Sequence, residues 1–207
     1  MYSCLQFKTK GISMLEIIIV IGIFSILTLG ASTLVMRSFQ SNTVVWEQLV
    51  KQSEGRKVLK NIVDEVRRAE ESSIGSFPIA VAQEYELEFY ANVDSDSYRE
   101  KVHYWLDGTT LMYGITKPSG NPLSYIGTEL QTEVAHDVKN EEQTTPLFSY
   151  FDETYTGSSS STPLTQPVDV ADIHMIKIQL ELERDPTKTP VPLHVETIAQ
   201  IRNLKTN

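Results

Sequence analysis

Asn92, Asp94, Asp96 and Glu100 stand at alternate or near-alternate positions, a spacing that can turn several carboxylates onto one hard cation such as calcium. The EF-hand form of such a loop needs a glycine for its sharp turn and a glutamate at its end. Ser97 and His103 occupy those positions here. Asn, Asp and Ser also turn a chain for local reasons, so Asp94, Asp96 and Glu100 are expected to form an acidic hairpin turn, with no metal assigned. The four histidines, His103, His136, His174 and His194, lack metal-ligand spacing. His103 and His194 fall in strand patterns on the more polar face, and His136 and Asp137 are chain neighbours, which seldom face each other. No serine lies in a nucleophile elbow or a Ser-x-x-Lys setting, and no glycine-rich phosphate loop is present. The expected role is therefore not enzymatic, with no catalytic residue and no cofactor. Trp46, Trp105 and the nine tyrosines are accounted for by packing. The remaining residue that asks for chemistry is Glu16, an acid at the edge of a long apolar run. A carboxylate there calls for a positive partner.

The elements that hold these residues follow from composition and pattern. Of 207 residues, 41% are hydrophobic and 22% charged, enough for one good-sized core. The formal net charge is −9, and Lys and Arg cluster only around Arg56, Lys57 and Lys60, so nucleic acid is not an expected partner. Cys4 is the single cysteine, which excludes a disulfide framework. The first eleven residues, MYSCLQFKTKG, carry Lys8 and Lys10 and no acid. Between Glu16 and Arg37 lie 20 uncharged residues, Ile17 to Met36. As a helix they would span about 30 Å, the thickness of a bilayer's hydrocarbon core. The flanking lysines favour an N-terminus in the cytoplasm and a C-terminal part outside. A secretory signal peptide is the rival reading, with Ala31-Ser32-Thr33 as its small-residue site, but it leaves Glu16 unexplained.

Lys10-Gly11-Ile12-Ser13-Met14-Leu15-Glu16, followed by the apolar run, resembles the prepilin cleavage and methylation motif of type IV pilins and type II secretion pseudopilins. The resemblance implies cleavage after Gly11 by a membrane-embedded prepilin peptidase, and methylation of the new N-terminal amine on Ile12. Glu16 matches the family's glutamate, whose proposed partner is the N-terminal amine of a neighbouring subunit during assembly. That pairing would neutralise an acid in lipid and set axial register. Two departures are Ile12, where the family usually has phenylalanine, and Thr33, where many major pilins carry proline. The implied partners are prepilin peptidase, other pilin or pseudopilin subunits, an inner-membrane assembly platform and membrane lipid.

Beyond Arg37 the pattern stays helical and turns amphipathic. Val45, Leu49, Leu59, Ile62, Val66 and Ala69 form one stripe, interrupted at Gln52 and Gly55, and Ser72, Ser73 and Gly75 are expected to end the helix. Gly30, amid Thr28, Ser32 and Thr33, is its weak point, where it can unwind or serve close packing. From Tyr85 the period becomes two. Strands are expected through Tyr85–Phe89, Val102–Leu106, Leu111–Tyr113, Leu147–Phe151, Ile176–Leu182 and Leu193–Ile201, with turns at Asp107-Gly108 and Asp185-Pro186. Glu129–Gln143 reads as a short helix or an irregular loop, and 157–167 as a polar mobile loop.

The expected organisation is α+β. It comprises a leader over 1–11, a membrane and assembly helix over 12–36, its amphipathic continuation over 37–75, and an antiparallel β head over 76–207. The head is loosely similar to J-type minor pseudopilins in its Glu-Val-Arg-Arg-Ala helix end, its Tyr-Trp-Leu-Asp-Gly hairpin and Arg202-Asn203-Leu204. The expected function is a minor pilin or pseudopilin, a single-pass inner-membrane protein later built into an extracytoplasmic fibre. The alternative is an uncleaved, membrane-anchored binding module facing outward.

Overall fold

The computed structural model describes residues 11–94, 96–157, 161–183 and 193–201, with the side chains of 40–48 also outside that description. The leader before Gly11, the Asp185-Pro186 turn and Arg202-Asn203-Leu204 lie outside the described residues, as does part of the 157–167 loop. The chain divides into two compact units, one up to Glu47 and one from Gln48 onward.

A single helix, α1 (Met14–Val66), starts in the first unit and ends in the second. Ser13 accepts the first helical bonds from the Glu16 and Ile17 amides. Glu16 falls three residues after it, in the first turn, where the free amides favour a carboxylate. The helix runs unbroken through Gly30, and the nearby hydroxyls bond within it. Ser25, Thr28, Ser32 and Thr33 donate to the carbonyls of Ile21, Phe24, Thr28 and Gly30 at 2.7–2.8 Å. This satisfies groups that would otherwise be costly in an apolar medium.

In the second unit, Val58, Leu59, Ile62, Val63 and Val66 bury one face of α1 at 3-and-4 spacing. The expected stripe holds at Leu59, Ile62, Val66 and Ala69 but not at Leu49, which is exposed. The side chain of Val45 falls outside the description. Gly55 interrupts the stripe for a reason of space: a Cβ there would lie 2.8 Å from Leu182 Cδ1. The helix stops at Val66, ahead of the expected Ser72–Gly75, because the amides of Arg68 and Ala69 bond three residues back and tighten the last turn.

Among the described residues, eight antiparallel strands follow in two sheets. The first has five: β1 (Ile79–Ala82), β2 (Glu86–Ala91), β3 (Glu100–Asp107), β4 (Thr110–Thr116) and β5 (Leu130–Ala135), in spatial order of sequence. The second has three: β6 (Phe148–Phe151), β7 (Met175–Leu182) and β8 (Leu193–Gln200). Gly108, at φ 59°, makes the tight β3–β4 turn, a conformation glycine adopts without penalty. The antiparallel strands expected over 76–207 thus fall into two sheets. They meet where β6 runs beside the β1–β2 turn: Phe148 N–H donates to the Glu84 carbonyl at 2.9 Å, and the Tyr150 hydroxyl to that of Gln83 at 2.8 Å. The stretch expected as a short helix or loop contains β5, an edge strand whose first four residues are exposed. The core joins Leu59, Ile62 and Val66 of α1 to Leu87, Phe89, Val102, Tyr104 and Leu111 of one sheet and Phe148, Ile176, Ile178 and Leu180 of the other.

Candidate functional site

Gly11, Ile12 and Ser13 precede α1 and are exposed, with nothing within 4 Å of where a Gly11 Cβ would sit. From Met14 to Phe39 the helix is long and apolar enough to cross a membrane. Its Ile17, Ile18, Ile19, Val20, Ile21 and Ile23 side chains are all exposed. A helix apolar on every side is the pattern of a membrane span. Glu16 is exposed at its start, so Gly11, Ile12 and Glu16 lie together at one end of the candidate span.

Asp94, Asp96 and Glu100 converge at the β2–β3 turn, each offering an oxygen within 4.8 Å of the others. Local bonds explain much of the shape: Asp94 accepts from the Asp96 amide and Asp96 from the Tyr98 amide, at 2.9 and 2.7 Å. The Lys117 ammonium pairs closely with Asp94 and lies 3.5 Å from Asp96, holding the Asp94 carboxyl below its usual range, so the turn brings its own counter-ion. Glu100 is fully buried; its Oε2 accepts from Val93 N–H at 3.1 Å, while Oε1 has no hydrogen-bond partner among the described residues. Calcium or a chelator is expected to leave the melting temperature unchanged, as for a turn. A site held at 100 times its dissociation constant would add about 2.7 kcal/mol. A calcium-dependent rise would reassign the lone Glu100 oxygen as a ligand.

The sequence reading missed a third group, on the solvent-side face of the five-stranded sheet. In the β2–β3 register Glu88 faces His103 and Glu86 faces Trp105; in β3–β4, His103 faces Gly114. The imidazole lies between two carboxylates: Nδ1 is 3.0 Å from Glu129 Oε1 and Nε2 is 3.2 Å from Glu86 Oε1. Glu88 Oε1 is 3.8 Å from Nδ1 and is shared with the Lys101 ammonium at 3.2 Å. Trp105 stacks on the imidazole, with ring centroids 4.2 Å apart. Gly114 makes the arrangement possible, since a Cβ there would fall 2.4 Å from Glu129 Cδ. Beside the group opens a cavity of about 690 Å³, whose lining includes Tyr85, Glu86, His103, Trp105 and Pro167. Strand periodicity placed His103 on the polar face but could not say which residues of other strands face it. Of the other histidines, His136 is exposed, and His194 sits between Glu181 at 2.6 Å and Glu196 at 3.3 Å.

On the opposite, helix-facing side, Glu65 of α1 accepts from the Tyr104 hydroxyl at 2.8 Å and the Tyr113 hydroxyl at 3.3 Å. Desolvation raises its carboxyl above the usual 4.5, against the lowering effect of these two hydroxyls and Arg68. The raised folded value sets the sign. Its contribution to stability is fully present below 4.5 and is lost as pH rises through the folded value. Glu65→Gln, which keeps an oxygen for the tyrosines without the charge, is expected to melt higher than the parent at pH 8. At pH 4 the difference should vanish. Equal pH dependence in both proteins would show that the carboxylate bears no such cost.

No protein-family model matches the chain, and no curated protein matches it.

Proposed function

We propose that the protein is a fibre subunit of the type IV pilin or pseudopilin kind, cut after Gly11 and stacked through its N-terminal helix. The observation that carries this reading is the placement of Gly11, Ile12 and Glu16 at the head of an exposed apolar helix from Met14 to Phe39. A plain anchor needs the span but gives no role to a glycine and an acid at this spacing. In the subunit reading, cleavage frees the Ile12 amine, and the amine of one subunit and the Glu16 carboxylate of the next neutralise each other as the helix leaves lipid. The N-terminus faces the cytoplasm, and the part from Gln48 onward is the outward-facing head. Its pilin-like standing rests on the order of long helix then antiparallel strands, and its kinship to J-type minor subunits on the short likenesses given above.

One observation favours the anchored-module alternative. Glu16 lies three residues after Ser13 in the first helical turn, where a carboxylate is stabilised without any partner subunit. Processing discriminates between the two. Coexpressed with a prepilin peptidase, the chain is expected to lose its first eleven residues and to begin with methylated Ile12 by intact mass. An uncut chain, or a cut among Ala31 to Thr33, would overturn the subunit reading.

A further inference from the structure

We propose that His103, Glu86 and Glu88 form a binding site for a divalent transition-metal ion of the zinc type, with Glu129 as the residue that orients the imidazole. Glu129 is an acceptor on both oxygens: Oε2 receives the Gln131 side-chain amide at 2.9 Å, and Oε1 faces His103 Nδ1 at 3.0 Å. In the tautomer with its hydrogen at Nδ1, the imidazole donates to Glu129 Oε1. Nε2 then points its lone pair at Glu86 Oε1, a second acceptor, 3.2 Å away. A metal ion held between that nitrogen and that oxygen would satisfy both.

The spacing suits the metal. Zinc holds imidazole nitrogen and carboxylate oxygen at about 2.0–2.2 Å, which in a tetrahedral site puts neighbouring ligand atoms roughly 3.3–3.6 Å apart. One oxygen from each of Glu86 and Glu88 and one ring nitrogen of His103 already lie within 4.8 Å of one another; Glu88 Oε1 lies 3.8 Å from Nδ1 and is held by Lys101, so binding at Nε2 requires Glu88 to turn from Lys101 toward the metal. The charge balance also asks for a cation. Lys101 is the only Lys or Arg among the described residues that pairs with any of the carboxylates of Glu86, Glu88 and Glu129, and it pairs with Glu88 alone. The side chains of Glu88, His103 and Glu129 are 15–21% exposed, which limits screening there, while Glu86 at 36% is the solvent-side member.

The surroundings complete the site. A metal-bound histidine ordinarily donates its other N–H to a carboxylate, which fixes the tautomer, and Glu129 is so placed. Gly114 keeps the space through which Glu129 reaches across β4, and the 690 Å³ cavity beside Glu86 and His103 provides entry and an open coordination position. The fibre reading plays no part in this argument.

The test uses the full chain in detergent micelles. Cys4→Ser removes the lone thiol, and Trp46→Phe makes Trp105 the sole tryptophan reporter, stacked on the proposed ligand. Zn²⁺ added at pH 8 is expected to give a saturable Trp105 fluorescence change and a matching calorimetric isotherm with one site. Glu129→Gln keeps all three ligands and should weaken binding by about 10- to 100-fold. Gly114→Ala, whose Cβ expels Glu129, should weaken it comparably, and His103→Gln should weaken it further. Asp94→Asn, in the separate acidic turn, should leave it unchanged. Far-UV circular dichroism confirms that each variant is folded, and the unaltered chain decides the matter where one is not. No saturable response up to about 1 mM Zn²⁺, an affinity weaker than about −4 kcal/mol by the standard conversion, would overturn the site. So would an isotherm that survives His103→Gln or disappears with Asp94→Asn.

Discussion

Gly11→Leu is expected to leave the chain at full length in cells that contain a prepilin peptidase, where the unaltered chain loses eleven residues. The effect should be close to complete, since a scissile position has to be narrow and extended to enter a peptidase. Folding cannot be its cause. Gly11 lies outside α1, and a side chain added there meets nothing within 4 Å. Membrane insertion should also survive, because the span from Met14 to Phe39 and the lysines before it are untouched. The variant therefore separates recognition by a peptidase from every property of the chain itself. Intact mass and N-terminal sequencing give the readout: an unmethylated Met1 terminus in the variant, methylated Ile12 in the parent. Cleavage of Gly11→Leu at the parental rate would show that the glycine is not part of a processing site.

Elements whose burial is periodic were legible in the sequence, and elements defined by their partners were not. Leu87 and Phe89 alternate with Glu86 and Glu88, and the structure buries the first pair and turns the second outward. The same alternation located β3, β4, β7 and β8 to within a few residues. It could not reveal that they belong to two sheets. That division depends on β6, whose four residues are all buried and carry no alternation to read. At β5 the sequence Leu130-Gln-Thr-Glu-Val-Ala looked irregular because an edge strand exposes both its faces, and Leu130 itself is exposed. The helix end was misplaced for a related reason: Ala69 is buried in the helical register, yet it belongs to a tightened turn after Val66. The histidine group was invisible for the strongest reason. Its members come from β2, β3 and the segment before β5, and the space for Glu129 depends on Gly114 on a fourth stretch. By contrast, the Gly11, Ile12 and Glu16 arrangement is local in sequence, so reading it needed no tertiary pairing.

Glu16→Ala is expected to abolish incorporation into a fibre while insertion, cleavage after Gly11 and folding of the part from Gln48 onward persist. The cause is an unpaired charge. On the proposed subunit reading, stacking would place a methylated Ile12 amine in an apolar bundle, and removing its carboxylate partner would leave it uncompensated. Breaking a buried ion pair by deleting one member typically costs about 3–5 kcal/mol, enough to reduce assembly by about two to four orders of magnitude. The anchored-module reading expects another result. There Glu16 is stabilised only by the first turn of α1, so its loss costs the helix start about 0.3–1 kcal/mol and leaves membrane abundance nearly unchanged. Crosslinking of the variant to partner subunits, measured beside its membrane abundance in a strain with the complete assembly system, separates the two. Glu16→Asp provides the finer test. A register role depends on where the carboxylate is held as well as on its charge, so a side chain shorter by one methylene should incorporate poorly. A dipole role depends on charge near the helix start, and aspartate satisfies it. Full incorporation of Glu16→Asp together with none for Glu16→Ala would mean that the amine needs a nearby negative charge but that Glu16 does not set the axial position. Equal incorporation of both variants and the parent would remove Glu16 from the assembly mechanism.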